Sequence, residues 1–302
     1  MGFMFFGKNK IIIGTAIGFC AAMVLFPEVT AAASKTGILL WLNSIVPMLL
    51  PFFIFANFLK STGIVRKISP RIYPFIMAVL SGYPMGAMVV GDYYREGIIN
   101  KDETLRILSY SMVTGPAFLV GAVGVEFLGS YKCGLILALS HYLSALINGL
   151  FHGSMKSKGE KVRKGPLIQK DSYYSIFTDA ILDSFKSMAI ILAYIIIFMI
   201  LTDLIQFSGL LSIIKSPAVY ALIKGVLEMT VGCNAIGIIS VPVIIKMTLA
   251  SFIVTFGGLS VMGQSISMLK DCDITLFQIF KIKLIHGVIA SIITFSISSF
   301  IL

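Results

Sequence analysis

The feature that most constrains this chain is a run of helix-breaking residues inside an apolar stretch. Ser81-Gly82-Tyr83-Pro84-Met85-Gly86-Ala87 interrupts residues 72–91, which are otherwise apolar enough to enter a membrane. An interruption frees backbone N–H and C=O groups that cannot face lipid, so it is tolerated only inside protein or beside a polar cavity. The run therefore predicts an interrupted membrane helix and favours a transport site.

The composition indicates an all-α polytopic membrane protein. Hydrophobic residues make up 57% of the 302 residues, charged residues make up 13%, and the mean hydropathy is +0.96. The longest polar stretch, residues 151–171, is too short for a large aqueous domain. The net charge of +10 lies in short loops between apolar segments, a pattern that orients a membrane protein and does not indicate nucleic acid.

The sequence carries none of the motifs on which an enzyme or a metal site would depend. The cysteines Cys20, Cys133, Cys233 and Cys272 are scattered, so neither a zinc site nor a disulfide framework is predicted. The H-E-x-x-H, G-x-S-x-G and phosphate-loop patterns are absent from the sequence. We therefore expect no catalysis, no cofactor and no metal, and the expected partners are a small-molecule substrate and the lipid bilayer.

The N-terminus resembles a secretory signal peptide. Lys8 and Lys10 precede the apolar run 11–26, and Ala31-Ala32-Ala33 imitates a cleavage site. A polytopic protein more often keeps such a segment as its first span, so a span over 10–27 is predicted, with residues 28–40 as an interfacial connection. Cleavage is the alternative.

The positive residues predict the orientation of the first half. They place the N-terminus and residues 152–175 in the cytoplasm. After a second span at 41–59, residues 72–91 have basic residues beyond both ends and are predicted to be a re-entrant hairpin. Spans at 105–128 and 134–150 complete this half.

The second half repeats the plan in the opposite orientation, with a hairpin between its first span and two further spans. Its predicted segments are 181–201, the hairpin 219–239, 242–269 and 277–302. Most of the 24 Lys and Arg residues fall on the cytoplasmic side of this topology, among them Lys281 and Lys283 at the start of the last span.

Weak self-similarity supports two repeats. Residues 58–64 resemble 204–210, and residues 109–121 resemble 251–263. Because the first half contains an odd number of crossings, the second half starts on the opposite side, and this predicts inverted repeats. The predicted divisions are an N-terminal span and connection over 1–36, repeat 1 over 37–151, a basic loop over 152–175 and repeat 2 over 176–302.

Four groups of breakers lie in the middle of apolar segments, at 81–86, 114–116, 230–234 and 257–258. Freed backbone groups and the positive ends of half-helices suit a small polar or anionic solute. The alternative is that these glycines and prolines only permit kinks or close packing. The predicted substrate-binding residues are Ser81, Gly82, Tyr83, Pro84, Gly86, Thr114, Gly115, Pro116, Phe118, Glu228, Thr230, Gly232, Asn234, Gly257 and Gly258.

Three ionisable residues within apolar segments are candidates for binding a coupling proton or ion: Glu228, Glu126 and His141. Each has a simpler interpretation. Glu228 could pair with Lys224 one turn away. Glu126 could face water, and His141 could form an interhelical hydrogen bond.

Several motifs, in their order along the chain, resemble the YlbJ-type sporulation integral membrane proteins, also called stage V sporulation protein V. They are Gly37-Ile38-Leu39-Leu40-Trp41, Pro47-Met48-Leu49-Leu50-Pro51-Phe52-Phe53, Ser81 through Ala87, Thr114 through Gly124, Ser140 through Leu146, and Glu228-Met229-Thr230 with Gly232.

The resemblance implies a nucleoside-recognition or Gate-type fold, similar to concentrative nucleoside transporters, with inverted repeats and paired re-entrant hairpins. It also implies a role in endospore formation, in which dipicolinic acid crosses the mother-cell-derived outer forespore membrane. The residues themselves indicate only a secondary transporter for a small polar or anionic solute. A nucleoside transporter and a non-transporting membrane protein of spore assembly are the alternatives.

The topology generates a prediction about residue 157. In a background without native cysteines, a cysteine introduced at Ser157 should be shielded from an impermeant thiol reagent in intact cells and should react after permeabilisation, because the loop is predicted to be cytoplasmic. Labelling of intact cells at this position would refute the topology. A cysteine at Lys132, which is predicted to lie outside, is the matched control.

Overall fold

The computed structural model describes residues 2–62, 68–152 and 173–302 of the chain. Every regular element in these ranges is helical. The α-helices are α1 Gly2–Leu25, α2 Pro27–Leu40, α3 Val46–Ser61, α4 Tyr73–Ser81, α5 Met85–Arg95, α6 Lys101–Ser111, α7 Tyr131–Phe151, α8 Tyr173–Phe207, α9 Pro217–Leu227, α10 Met229–Ile238, α11 Val243–Phe256, α12 Gly258–Met268 and α13 Leu276–Ile301. Wider π-helical turns span Trp41–Ile45 and Ala117–Phe127, and a short 3₁₀ helix spans Leu210–Ile213.

Four helical segments of the described ranges are long and apolar enough to cross a membrane: α7, α8, α13, and α11 with α12 taken together. Helices α1 and α2 form a fifth if their pair, bent by 100°, is one span. Large apolar side chains such as Leu150 and Phe300 are exposed on the outside, where lipid would cover them. The predicted all-α polytopic membrane fold is confirmed.

Both predicted hairpins are present as pairs of packed helices. Helices α4 and α5 pack against each other and are joined through Gly82-Tyr83-Pro84, where Gly82 has a φ of 77°. Helices α9 and α10 are joined at the single non-helical residue Glu228. Each hairpin therefore reverses the chain in the middle of an apolar segment.

The predicted position of the second break was wrong. Residues 230–234 lie inside helix α10, and the chain is interrupted at Glu228. A Cβ atom added at Gly232 would lie 2.1 Å from the Cα of Gly225. Gly232 is therefore a close-packing point between the two arms of the hairpin.

Gly86 has the same kind of role in the first hairpin. It lies inside α5, and a Cβ atom there would come within 1.9 Å of the carbonyl oxygen of Ser111 at the end of α6. The interruption that the sequence predicted over 81–86 is confined to residues 82–84. For Gly86 and Gly232, the structure favours the packing interpretation of a membrane glycine.

The predicted interruptions at 114–116 and 257–258 are present. Helix α6 ends at Ser111, and Pro116 begins the next helical segment, as expected of a residue that lacks an N–H donor. Helices α11 and α12 are separated at Gly257, where φ is 85°, and Gly258 follows with a φ of 71°. Glycine adopts this left-handed conformation without the steric cost that a Cβ atom brings.

The same order of elements occurs twice. A hairpin is followed by an interrupted helix and then by a long continuous helix, first over 73–151 and then over 217–301. The corresponding continuous helices α7 and α13 pack against each other, and α3 packs against α8.

The segment predicted as an interfacial connection, residues 28–40, is helical and packs antiparallel along α8. Gly37 lies against Ile195, and the Trp41 indole N–H donates to the Met188 carbonyl at 3.1 Å. Farther along, the Asn57 amide donates to the Ser184 hydroxyl at 2.9 Å. These two hydrogen bonds stabilise the packing of α2 and α3 against α8 in an apolar environment.

Arg95 joins the end of the first hairpin to the loop after α12. Its Nη1 donates to the carbonyl oxygens of Met268 at 3.2 Å and Lys270 at 3.0 Å, and its Nη2 pairs with Asp92 at 2.7 Å. The guanidinium thus satisfies carbonyl groups at the end of a helix of the other half.

The basic loop residues 156–170 and the cations Arg66 and Lys67, which carry part of the predicted topology, lie outside the described residues.

The contact between Gly232 and Gly225 can be tested with a matched pair of substitutions. We expect Gly232→Ala to lower the free energy of unfolding by about 1–3 kcal/mol or more, because the added methyl group overpacks the hairpin. At Gly121 a Cβ atom meets nothing within 4 Å, so Gly121→Ala should be neutral or slightly stabilising. Thermal unfolding of the purified proteins measures both, and equal losses would contradict the assignment.

Candidate functional site

A cavity of about 400 Å³ lies where the two hairpins meet the two interrupted helices. Apolar side chains from α8, among them Ile191, Ile195 and Met199, form part of its wall. The predicted binding residues that line it are Ser81, Gly82, Tyr83, Thr114, Gly115, Phe118, Glu228, Thr230 and Asn234. Glu126 also lines the cavity and is exposed, which places it at an open side.

The other predicted binding residues do not line this cavity. They lie beside the interruptions or form packing contacts between helices. These residues are Pro84, Gly86, Pro116, Gly232, Gly257 and Gly258, together with the coupling candidate His141.

The first hairpin brings polar groups to the cavity. Gly115 lies close to the tip, since a Cβ atom there would be 3.4 Å from the Gly82 nitrogen. The Ser81 hydroxyl is fully buried, lines the cavity and has no hydrogen-bond partner within the described part of the chain. Buried hydroxyls are nearly always paired, so this group has a hydrogen-bonding capacity that the described residues leave unused.

Glu228 forms the turn of the second hairpin. Its side chain is 3% exposed, and Oε2 accepts a hydrogen bond from the Val231 N–H at 2.8 Å, which caps helix α10. A carboxylate at this position also complements the positive end of the helix. The alternative pairing with Lys224 is not formed, because the Lys224 ammonium lies over the Tyr220 ring, 4.8 Å from its centroid.

His141 connects the two interrupted helices. Its Nε2 accepts a hydrogen bond from the Thr114 N–H at 2.9 Å, and its Nδ1 is 2.8 Å from the Thr255 hydroxyl. Because a backbone N–H can only donate, Nε2 is unprotonated and the proton lies on Nδ1. In this arrangement the ring is neutral, as in the hydrogen-bonding interpretation of the sequence.

Lys283 is the functional candidate that the sequence analysis missed. Predicted to be a cation flanking the last span, it lies two turns inside α13 with none of its surface exposed. Its Nζ donates to the Tyr83 hydroxyl and to the Met112 carbonyl, the latter at 2.9 Å. The Tyr83 hydroxyl in turn donates to the Thr255 carbonyl at 3.2 Å.

The spacing of small and polar residues in α13 is the signal that could have revealed this burial. Residues two apart point to different faces of a helix, so Lys281 and Lys283 cannot both face water at one side. Lys283 continues into a buried stripe with the helical period: His286, Gly287, Ala290, Thr294 and Ser298. A polar stripe in an apolar helix indicates a protein-facing surface.

The fold defines a polytopic α-helical membrane protein with a cavity where interrupted helices meet. The chain is similar to the sporulation integral membrane protein YlbJ of Bacillus subtilis (strain 168), with 29% identity over an alignment 335 positions long that covers 94% of this chain and 81% of that protein. The predicted resemblance to the YlbJ-type family is confirmed. No family model matches the chain, and no solved structure matches it.

The link formed by His141 predicts a stability effect. We expect His141→Ala to lower the free energy of unfolding by about 1–3 kcal/mol, because the buried Thr114 N–H loses its acceptor. The matched substitution His152→Ala, at the half-buried end of α7, should cost less. Thermal unfolding in detergent compares the two variants, and a milder effect at His141 than at His152 would contradict the bridging role.

Proposed function

We propose that the protein is a secondary-type transporter that carries a small anionic solute through the central cavity. The observation that carries this proposal is the meeting of two hairpins and two interrupted helices around one cavity. Secondary transporters place their substrate sites at such interruptions, where free backbone groups can bind the solute.

The repeated order of elements supports a mechanism of alternating access. Each half contributes one hairpin and one interrupted helix to the cavity. If the halves are inverted repeats, as their sequences predict, each hairpin faces the opposite side of the membrane. Movement of the hairpins would then open the cavity to one side at a time.

The proposed solute is dipicolinic acid, moved across the outer forespore membrane during sporulation. This identification rests on the family resemblance, and the name of the Bacillus subtilis relative connects the family with sporulation. The chemistry of the cavity is compatible with a planar aromatic dianion. Tyr83 and Phe118 can offer aromatic faces, while the Ser81 hydroxyl and the interrupted backbone can bind carboxylates.

Glu228 is the proposed coupling residue. A carboxylate lining the cavity repels an anionic substrate in a surrounding of low polarity. Binding of a proton or a cation at Glu228 would remove this repulsion and so link its movement to that of the solute.

A nucleoside transporter is the second candidate. The amide side chains of Asn234 and Gln264 line the cavity with Glu228, and such groups suit the hydrogen-bonding edges of a nucleobase. A panel of nucleosides, compared with dipicolinate in thermal-stabilisation assays of the purified protein, separates the two substrates. A protein that serves only in spore assembly would be stabilised by neither.

The coupling role of Glu228 can be tested with Glu228→Gln, which keeps the shape and removes the charge. We expect concentrative dipicolinate uptake by proteoliposomes to fall by about tenfold or more, because the coupling proton or cation loses a charged interaction of roughly 1.5–3 kcal/mol at this position. Uptake should also lose its dependence on a proton or sodium gradient. The amount of protein in the membrane should stay near that of the wild type.

Glu96→Gln, at the exposed end of α5, is the matched control and should transport normally. Full, gradient-dependent uptake by Glu228→Gln would remove Glu228 from the mechanism. Loss of the protein from the membrane would instead assign Glu228 a structural role.

A further inference from the structure

Lys283 is a fully buried amine, and no anionic group of the described residues is paired with it. The ammonium group has hydrogen-bond acceptors in the Tyr83 hydroxyl and the Met112 carbonyl. Neither acceptor is an anion, and no carboxylate of the described residues lies within 4 Å of the Lys283 Nζ. A buried cation is costly unless an opposite charge balances it.

Tyr83 links this group to the cavity. The Lys283 Nζ is 4.5 Å from the centroid of the Tyr83 ring, and Tyr83 itself lines the cavity. One aromatic side chain therefore separates the ammonium from the space in which a solute would bind. Buried charges are screened less than exposed ones, so a unit charge on Lys283 would act across this distance.

Lys283 also contacts three of the four interruptions. Tyr83 belongs to the tip of the first hairpin, and Met112 is the first residue after helix α6. A Cβ atom added at Gly257, between α11 and α12, would lie 3.7 Å from the Lys283 Cε. The Lys283 amine is thus held among the elements that form the cavity.

The titratable groups around Lys283 do not supply the missing negative charge. His141 and His286 stack with their ring centroids 5.2 Å apart, and an imidazole is neutral or positive. The hydrogen bonds of His141 hold it neutral. The acidic residues of the cavity, Glu126 and Glu228, lie on other elements.

We propose that Lys283 makes the cavity selective for anions, and that a carboxylate of the bound solute is its counter-ion. This inference rests on the proposed function and deepens it by assigning the residue that recognises the substrate's charge. The Tyr83 hydroxyl already donates to the Thr255 carbonyl, so it has no proton left to donate to the solute. Lys283 would therefore attract the solute electrostatically across the Tyr83 ring, or the solute would displace the Tyr83 hydroxyl and bind Lys283 directly. In either case the affinity depends on the charge of Lys283.

Binding measurements with two substitutions test the proposal. Lys283→Met removes the charge and fills a similar volume, while Lys283→Gln removes the charge but keeps a donor for Tyr83 and Met112. The ligands are dipicolinate and the neutral pyridine-2,6-dicarboxamide, which has nearly the same shape. Isothermal titration calorimetry on the purified full-length protein measures both affinities.

We expect both variants to bind dipicolinate about tenfold or more weakly than the wild type, since a unit charge close to the ligand is lost. The affinity for the diamide should change by less than about threefold, because that ligand carries no charge. Lys281→Met is the matched control: Lys281 lies on the same helix with its ammonium over the Phe277 ring, and its loss should leave both affinities unchanged.

The outcomes separate the proposal from the function on which it rests. If the wild type binds no dipicolinate, the proposed substrate is wrong and the role of Lys283 falls with it. If the wild type binds and the Lys283 variants bind equally well, only the role of Lys283 is overturned. If Lys283→Gln binds normally while Lys283→Met does not, the residue acts as a hydrogen-bond donor and the charge proposal is also overturned.

A double substitution distinguishes the substrate from Glu228 as the partner of Lys283. If Lys283 balances the solute, Lys283→Met with Glu228→Gln should bind dipicolinate more weakly than Glu228→Gln alone. If Lys283 balances Glu228, removal of both charges should restore the affinity lost in the single variants. Restoration would overturn the proposal.

Discussion

The structure depends on one constraint: backbone groups freed inside an apolar environment must find partners within the protein. At the first interrupted helix, the Thr114 N–H is bound by His141 and the Met112 carbonyl by Lys283. At the second, the Thr255 carbonyl accepts from Tyr83. The turn of the second hairpin supplies its own partner, since Glu228 caps the helix that follows it. The polar residues of the interior are thus arranged around the places where the helices stop.

Much of this arrangement could be predicted because its signals are local. Proline and glycine act on their own backbone, so the tip at Gly82 to Pro84 and the interruption at Gly257 could be identified from single positions. A carboxylate in an apolar run is likewise visible in the sequence, and Glu228 does lie at the turn of its hairpin. Nine of the predicted binding residues therefore line a single cavity.

The features that escaped prediction depend on contacts between distant parts of the chain. Gly232 suggested a break, yet its role depends on how closely Gly225 of the neighbouring helix approaches. Lys283 was assigned to the membrane surface because the positive-inside rule treats every cation near a span end alike. Its actual partner is Tyr83, 200 positions earlier in the chain, and no local pattern encodes such a separation. In the sequence, only the helical spacing of small and polar residues along α13 indicated that Lys283 is buried.

The hydrogen bonds of Arg95 restrain the first hairpin. They join Arg95, at the C-terminal end of helix α5, to the turn that precedes α13. This turn belongs to the other half of the chain. The turn itself is held in a tight shape, with left-handed backbone at Asp271 and Asp273. The first hairpin is thus tethered at its base as well as at its tip, where Tyr83 bonds to Thr255. An element held at both ends in this way is restrained from moving independently of the other half of the chain.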